Sequence, residues 1–178
     1  ASSDLPLAPS IVGPGEITTW ELNNTTLPAG VLFGTNNGTF YGIPTQLWPT
    51  QTYMIWANNS GGSSTTSLTI TVVDQIPELS YNPENLTLLN NTQSPSLPLG
   101  PTLTGSGIIL EWGITDGLPN GLNFGNDNGT IWGIPTERMN RTIFTIWANN
   151  SGGSITANIN ITVLHQQPVF NYSVLELV

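Results

Sequence analysis

Apolar and polar residues alternate along much of the chain with a period of two, the pattern of strands that bury one face and wet the other. The clearest runs are rich in β-branched and aromatic residues: ITTWEL (17–22), GTFYGIP (38–44), TYMIWANN (52–59) and TTSLTITVV (65–73). A second set follows at ILEWGIT (109–115), GTIWGIP (129–135), IFTIWANN (143–150) and ITANINITVL (155–164). No segment has the spacing of a helix face. Asn37-Gly38 and Asn128-Gly129 predict tight hairpin turns with positive φ at both central positions. Ser60-Gly61-Gly62 and Ser151-Gly152-Gly153 predict longer turns. The expected fold class is all-β, with antiparallel pairing throughout.

Self-comparison sharpens this picture. Residues 27–45 (LPAGVLFGTNNGTFYGIPT) match 118–136 (LPNGLNFGNDNGTIWGIPT), and IWANNSGGS recurs identically at 55–63 and 146–154. LTITVV (68–73) matches INITVL (159–164) at the same offset of 91 residues. The chain is therefore a tandem array of one unit. Several short strands per unit, without a Cys pair, predict two tandem Ig-like β-sandwich domains. The shared pattern resembles the Ig-like repeat of secreted archaeal and bacterial surface proteins over about 45 residues in each copy. That resemblance implies a spacer or adhesive module.

Continuing the register maps QIPELSY (75–81) onto QQPVFNY (166–172), so a third unit begins near the end of the sequence. The first unit starts only after the phase that PELSYNPENLTLLNN (77–91) occupies in the second. The expected organisation is an Ig-like domain at 1–74 lacking its first strand, a complete one at 75–165, and a C-terminal donor strand at 166–178. A sandwich short of a strand exposes an edge and a strip of core. The tail carries the strand that would cover it in a neighbouring copy. Val169, Phe170, Tyr172, Val174, Leu175, Leu177 and Val178 are the donor residues, with Phe170, Tyr172 and Val174 on one face. Head-to-tail insertion of this kind does not close on itself and makes a filament. The competing expectation is a monomeric adhesive or spacer module from a longer surface-protein array, whose tail merely begins the next domain.

Composition narrows the chemistry. The 178 residues carry 11 acidic against 2 basic side chains, a net charge of −9, one His and no Cys. Nucleic acid and anionic membranes call for clustered Lys and Arg, so neither is an expected partner. Thiolate and imidazole-rich metal sites are unavailable, and no metal or cofactor is expected. No apolar run reaches the length of a membrane span. No signal-peptide pattern opens at Ala1, which reads as a chain whose signal peptide is already removed. Asn-x-Ser/Thr sequons stand at Asn23, Asn24, Asn37, Asn58, Asn85, Asn90, Asn128, Asn140, Asn149, Asn160 and Asn171. Random placement of the same residues would give roughly four. Covalent N-glycans on an extracellular chain are the expectation.

Two Ig-like units, dense sequons, a missing strand and a matching surplus strand together resemble the subunit of archaeal threads, the glycosylated cell-surface filaments of Sulfolobus-type archaea. The resemblance implies a pilus-like extracellular filament that polymerises with itself and serves adhesion to cells or surfaces and biofilm cohesion. No catalytic set emerges, and an enzyme is not expected. His165 stands alone, Asp127 in GNDNGT has no acidic counterpart in GTNNGT, and Glu111, Glu137 and Asp116 show no dyad spacing. The repeated aromatics Trp20/Trp112, Tyr41/Trp132 and Trp56/Trp147 predict core positions. Trp48 and, in the same loop of the second unit, Arg138 and Arg141 are candidates for an inter-subunit contact.

Overall fold

The computed structural model describes residues 4–172, with no helix among them. The chain divides into two units, Ala1–Val73 and Asp74–Val178. Unit 1 holds β1 (Thr19–Leu22), β2 (Val31–Phe33), β3 (Phe40–Gly42), β4 (Trp48–Asn59) and β5 (Gly62–Val72). β4 lies between β1 and β5 in an antiparallel sheet. β2 and β3 form a hairpin, to which Leu7 adds a bridge at Phe40. The period-two pattern turns Tyr53 and Ile55 of β4 inward, where Ile55 meets Trp20, Val31 and Phe40. Tyr53 is fully buried, and its hydroxyl donates to the Thr26 carbonyl at 2.9 Å, so no polar atom is stranded there.

Unit 2 repeats this plan and extends it. Its strands are β6 (Glu78–Tyr81), β7 (Asn85–Leu89), β8 (Pro101–Thr104), β9 (Glu111–Ile114), β10 (Leu122–Phe124), β11 (Ile131–Gly133), β12 (Met139–Asn150) and β13 (Gly153–Leu164). One sheet runs β7-β13-β12-β9. Facing it are the β10–β11 and β6–β8 pairs, joined where Leu99, just ahead of β8, bridges Ile131. Fifteen buried side chains fill the space between the layers, contributed by both. This is the Ig-like sandwich expected from the strand pattern.

Three local expectations are corrected. Pairing is not antiparallel throughout: β7 runs parallel to β13, from Asn85↔Asn160 to Leu89↔Leu164. The opening run of unit 2 serves both layers, because Pro83 has no N–H for a ladder and the chain changes sheets there. Asn37-Gly38 and Asn128-Gly129 do not make two-residue primed turns. Asn37 and Asn128 keep negative φ, each side-chain oxygen accepts the N–H two residues on at 3.0 Å, and only the glycine is left-handed, at +68° or +69°. They sit in six-residue loops between Phe33 and Phe40 and between Phe124 and Ile131. The tight hairpin is the other one: Asn59 pairs with Gly62, and Asn150 with Gly153, across two residues.

Candidate functional site

The two units differ most at the outer strand of the long hairpin. β5 and β13 present the same alternation, with Leu68, Ile70 and Val72 in the places of Ile159, Ile161 and Val163. In unit 2 those three are fully buried, because β7 pairs along β13 and β6 closes the facing layer. In unit 1 Leu68, Ile70 and Val72 are only half-buried, and β5 is an edge paired to β4 alone. Among the described residues unit 1 has no counterpart of β6 or β7. The deficit spreads to the segment equivalent to β8, which lacks its partner and is not a strand. Leu7 is 43% exposed where its counterpart Leu99 is 7%.

A polar feature marks the same vacancy. In unit 2 Trp112 lies over Gly129, and the Tyr81 hydroxyl donates to the Gly129 carbonyl at 2.6 Å inside the core. Desolvation by burial pushes the Tyr81 phenol above its usual range. In unit 1 Trp20 covers Gly38 in the same way, but no tyrosine of unit 1 stands where Tyr81 does.

The described part of the tail is apolar and exposed. Phe170 and Tyr172 are 79% and 91% exposed, their rings edge to face at 6.1 Å, and Val169 is exposed too. By register Phe170 corresponds to Leu79 and Tyr172 to Tyr81. Val174, Leu175, Leu177 and Val178 lie outside the described residues.

The sequons sort by which amide atom is engaged. Asn23, Asn24, Asn37, Asn85, Asn128 and Asn140 use the side-chain oxygen, accepting from Met54, Thr26, Thr39, Arg141, Thr130 and Arg138, which leaves the nitrogen that a glycan would take. Asn58 and Asn149 instead donate that nitrogen to Glu21 and Glu111. Asn160 is half-buried on β13 with its side-chain oxygen enclosed and unpartnered. Asn90 is half-buried and Asn171 exposed. Among the described residues no group of three or more His, Asp or Glu could hold a metal. Among the described residues no helix is long and apolar enough to cross a membrane.

The family model described as Putative Ig domain matches residues 1–73 and 77–164. The chain belongs to this family. Curated relatives include the serine-rich adhesin for platelets of Staphylococcus aureus strain MRSA252, 28% identical over 143 residues covering 78% of this chain and 10% of the adhesin. The same adhesin from strain USA300 is 28% identical, with 78% and 6% covered. The chain thus spans a tenth or less of the length of these relatives. Solved structures that match include mouse cadherin-23 EC22-24, at TM-score 0.38 and 10% identity over 83% of this chain and 53% of that one. The four N-terminal Ig domains of Dscam1 isoform 1.9 reach TM-score 0.38 and 15% identity over 82% and 37%. The family is one of Ig domains, and these curated relatives are adhesins.

Within the Ig-like units the aromatic positions divide. Trp20 and Trp112 are core residues as expected, whereas Trp56 and Trp147 are half-buried. Tyr41 and Trp132 are not core: they follow the inward Phe40 and Ile131 on three-residue strands, so alternation turns them out. Trp48 is half-buried opposite Val72, with its indole N–H enclosed and unpartnered, and Met139 holds the same place opposite Val163. Arg138 and Arg141 bond to Asn140 and Asn85 within unit 2.

Proposed function

We propose that the chain is an adhesion-type Ig-like module displayed outside the cell, and that its first unit is completed by strand addition. The strand is supplied by residues 168–178 of a second copy. The contrast between β5 and β13 carries this reading: one apolar face is sealed by two partner strands in unit 2 and has neither among the described residues of unit 1. An unpaired edge beside half-covered core is the surface that strand addition uses. The tail fits in chemistry and in register. Phe170 takes the place of Leu79, and Tyr172 that of Tyr81, with its hydroxyl directed at the Gly38 carbonyl. Val174 replaces Pro83 and restores the ladder donor. Repeated from copy to copy, the contact is heterologous and open, so it propagates a filament. Exposed sequons with a free amide nitrogen would carry N-glycans over its surface.

A second reading is favoured by the length of the adhesin relatives, of which the chain covers a tenth or less. There the module is one stretch of a longer surface array, and preceding residues supply the strand to unit 1. Negative-stain electron microscopy of the chain beside a version ending at Gln167 separates the two. Thin unbranched filaments from the chain and discrete particles from the shortened version are the expected result. Discrete particles from both would favour the array.

A further inference from the structure

We propose that the shallow cavity beside Trp132 in unit 2 is a saccharide-binding site. The cavity has a volume of about 600 Å³ and is lined by Gln93, Pro98, Asp127, Asn128, Thr130 and Trp132, with Gly133. That volume falls within the range of small-ligand sites. Its chemistry is an exposed aromatic ring ringed by unspent polar groups. Trp132 is 42% exposed on the outer side of β11, while its neighbour Ile131 does the core packing. Unit 1 holds an aromatic ring outward at the same register, Tyr41 at 44% exposure, so the surface ring recurs where the sandwich does not need it.

The polar rim is available for a ligand. The Asp127 carboxylate accepts no hydrogen bond among the described residues, and the Gln93 amide makes only a 3.5 Å bond to the Ser94 carbonyl. Asn128 spends its side-chain oxygen on the Thr130 N–H, which leaves its nitrogen free. No cation lines the cavity, so an anionic ligand has no partner there. A neutral, hydroxyl-rich ring matches the set: its apolar C–H face stacks on the indole, and its hydroxyls donate to Asp127 and accept from Gln93 and Asn128. Asn128 is also a sequon, so the sugar can come from the chain's own glycan or from a glycan on another molecule.

Saturation-transfer NMR on the full chain, produced without N-glycosylation, tests this with chitotriose, mannotriose and maltotriose as probes. At least one trisaccharide should receive saturation and bind saturably. Trp132→Ala should abolish binding, and Asp127→Asn, which keeps the side-chain shape, should weaken it about tenfold. Tyr41→Ala should leave it unchanged. Absence of transfer to all three probes, or binding that survives both unit 2 substitutions, overturns the proposal. With the N-glycosylated chain the sources part. Loss of probe binding with Asn128 occupied shows that the chain's own glycan closes the site to foreign sugars, and retained binding shows a site open to foreign glycans.

Discussion

Leu68, Ile70 and Val72 of β5 stand where Ile159, Ile161 and Val163 stand in β13, yet only the second set is sealed from water. The strands alternate alike and pair with the preceding strand in the same register, Asn59↔Gly62 matching Asn150↔Gly153. What differs is the neighbour. β6 and β7 convert an amphipathic edge into a core strand, and beside the fully buried Tyr53 the core cluster of unit 1 holds only Trp20, Val31, Phe40 and Ile55, with partly wet surroundings. A strand's apolar face therefore states what it can bury, while its partner decides whether it does.

The largest effect that would break this comparison comes from truncating the matched isoleucines. Ile161→Ala removes a fully buried side chain from a closed core and should cost about 2–5 kcal/mol of unit 2 stability. Ile70→Ala, in the chain ending at Gln167, removes a half-buried one and should cost about 1 kcal/mol of unit 1 stability. Urea unfolding of each variant measures both. Equal costs would mean that the β5 face is already sealed in the shortened chain. Under strand addition the Ile70→Ala cost should climb toward that of Ile161→Ala once the tail is bound.

A contact that both units share sharpens the contrast by serving as its control. A Cβ on Gly38 or Gly129 would come within 2.6 Å of the Trp20 or Trp112 ring, and both glycines are left-handed. Gly38→Ala and Gly129→Ala should therefore each cost about 2–4 kcal/mol, from the left-handed penalty plus overpacking. Thermal unfolding should register the two losses as similar. If only Gly129→Ala destabilises, the indole in unit 1 is already loose, and the missing strands affect more than the β5 face.

Much of this is legible in the amino-acid sequence. The 91-residue repeat, the two sandwiches and the absence of the 77–91 phase from unit 1 follow from alternation and self-comparison, because inward positions must be apolar in both copies. β2 and β10 carry too little period to be read, whereas the equally short β3 and β11 are marked by the repeated GTxxGIP frame. The sheet switch at Pro83 needed the partner strands to be seen, and so did the parallel β7–β13 pair. Trp132 departs from its expected core position for a related reason: recurrence at the repeat offset marks any position the repeat keeps, whether in the core or on the outer face. The cavity beside it joins Gln93 to Asp127 and Trp132, residues that the Leu99–Ile131 bridge and the bond from the Asn91 N–H to the Pro135 carbonyl bring near one another.

The last expected effect isolates one hydrogen bond of unit 2 that has no counterpart among the described residues of unit 1. Tyr81→Phe removes the hydroxyl that donates to the Gly129 carbonyl and should cost about 1–3 kcal/mol, because that carbonyl loses its donor inside the core. The change also alters the response to alkali in a direction fixed by burial. Desolvation raises the folded pKa of Tyr81 above its unfolded value near 10. Below about pH 10 both states are protonated, and the contribution to stability is fully present. As pH rises beyond that, the unfolded chain releases the proton while the folded unit holds it, so stability falls by up to about 1.4 kcal/mol per pH unit. Tyr81→Phe should remove this part of the slope, so that the variant is less stable at neutral pH yet converges on the parent in strong alkali. Unfolding midpoints recorded from neutral to strongly alkaline pH measure the convergence. Parallel curves would mean that Tyr81 ionises as freely in the folded unit as outside it, and that the strand carrying it covers the Gly129 carbonyl less completely than the 2.6 Å bond implies.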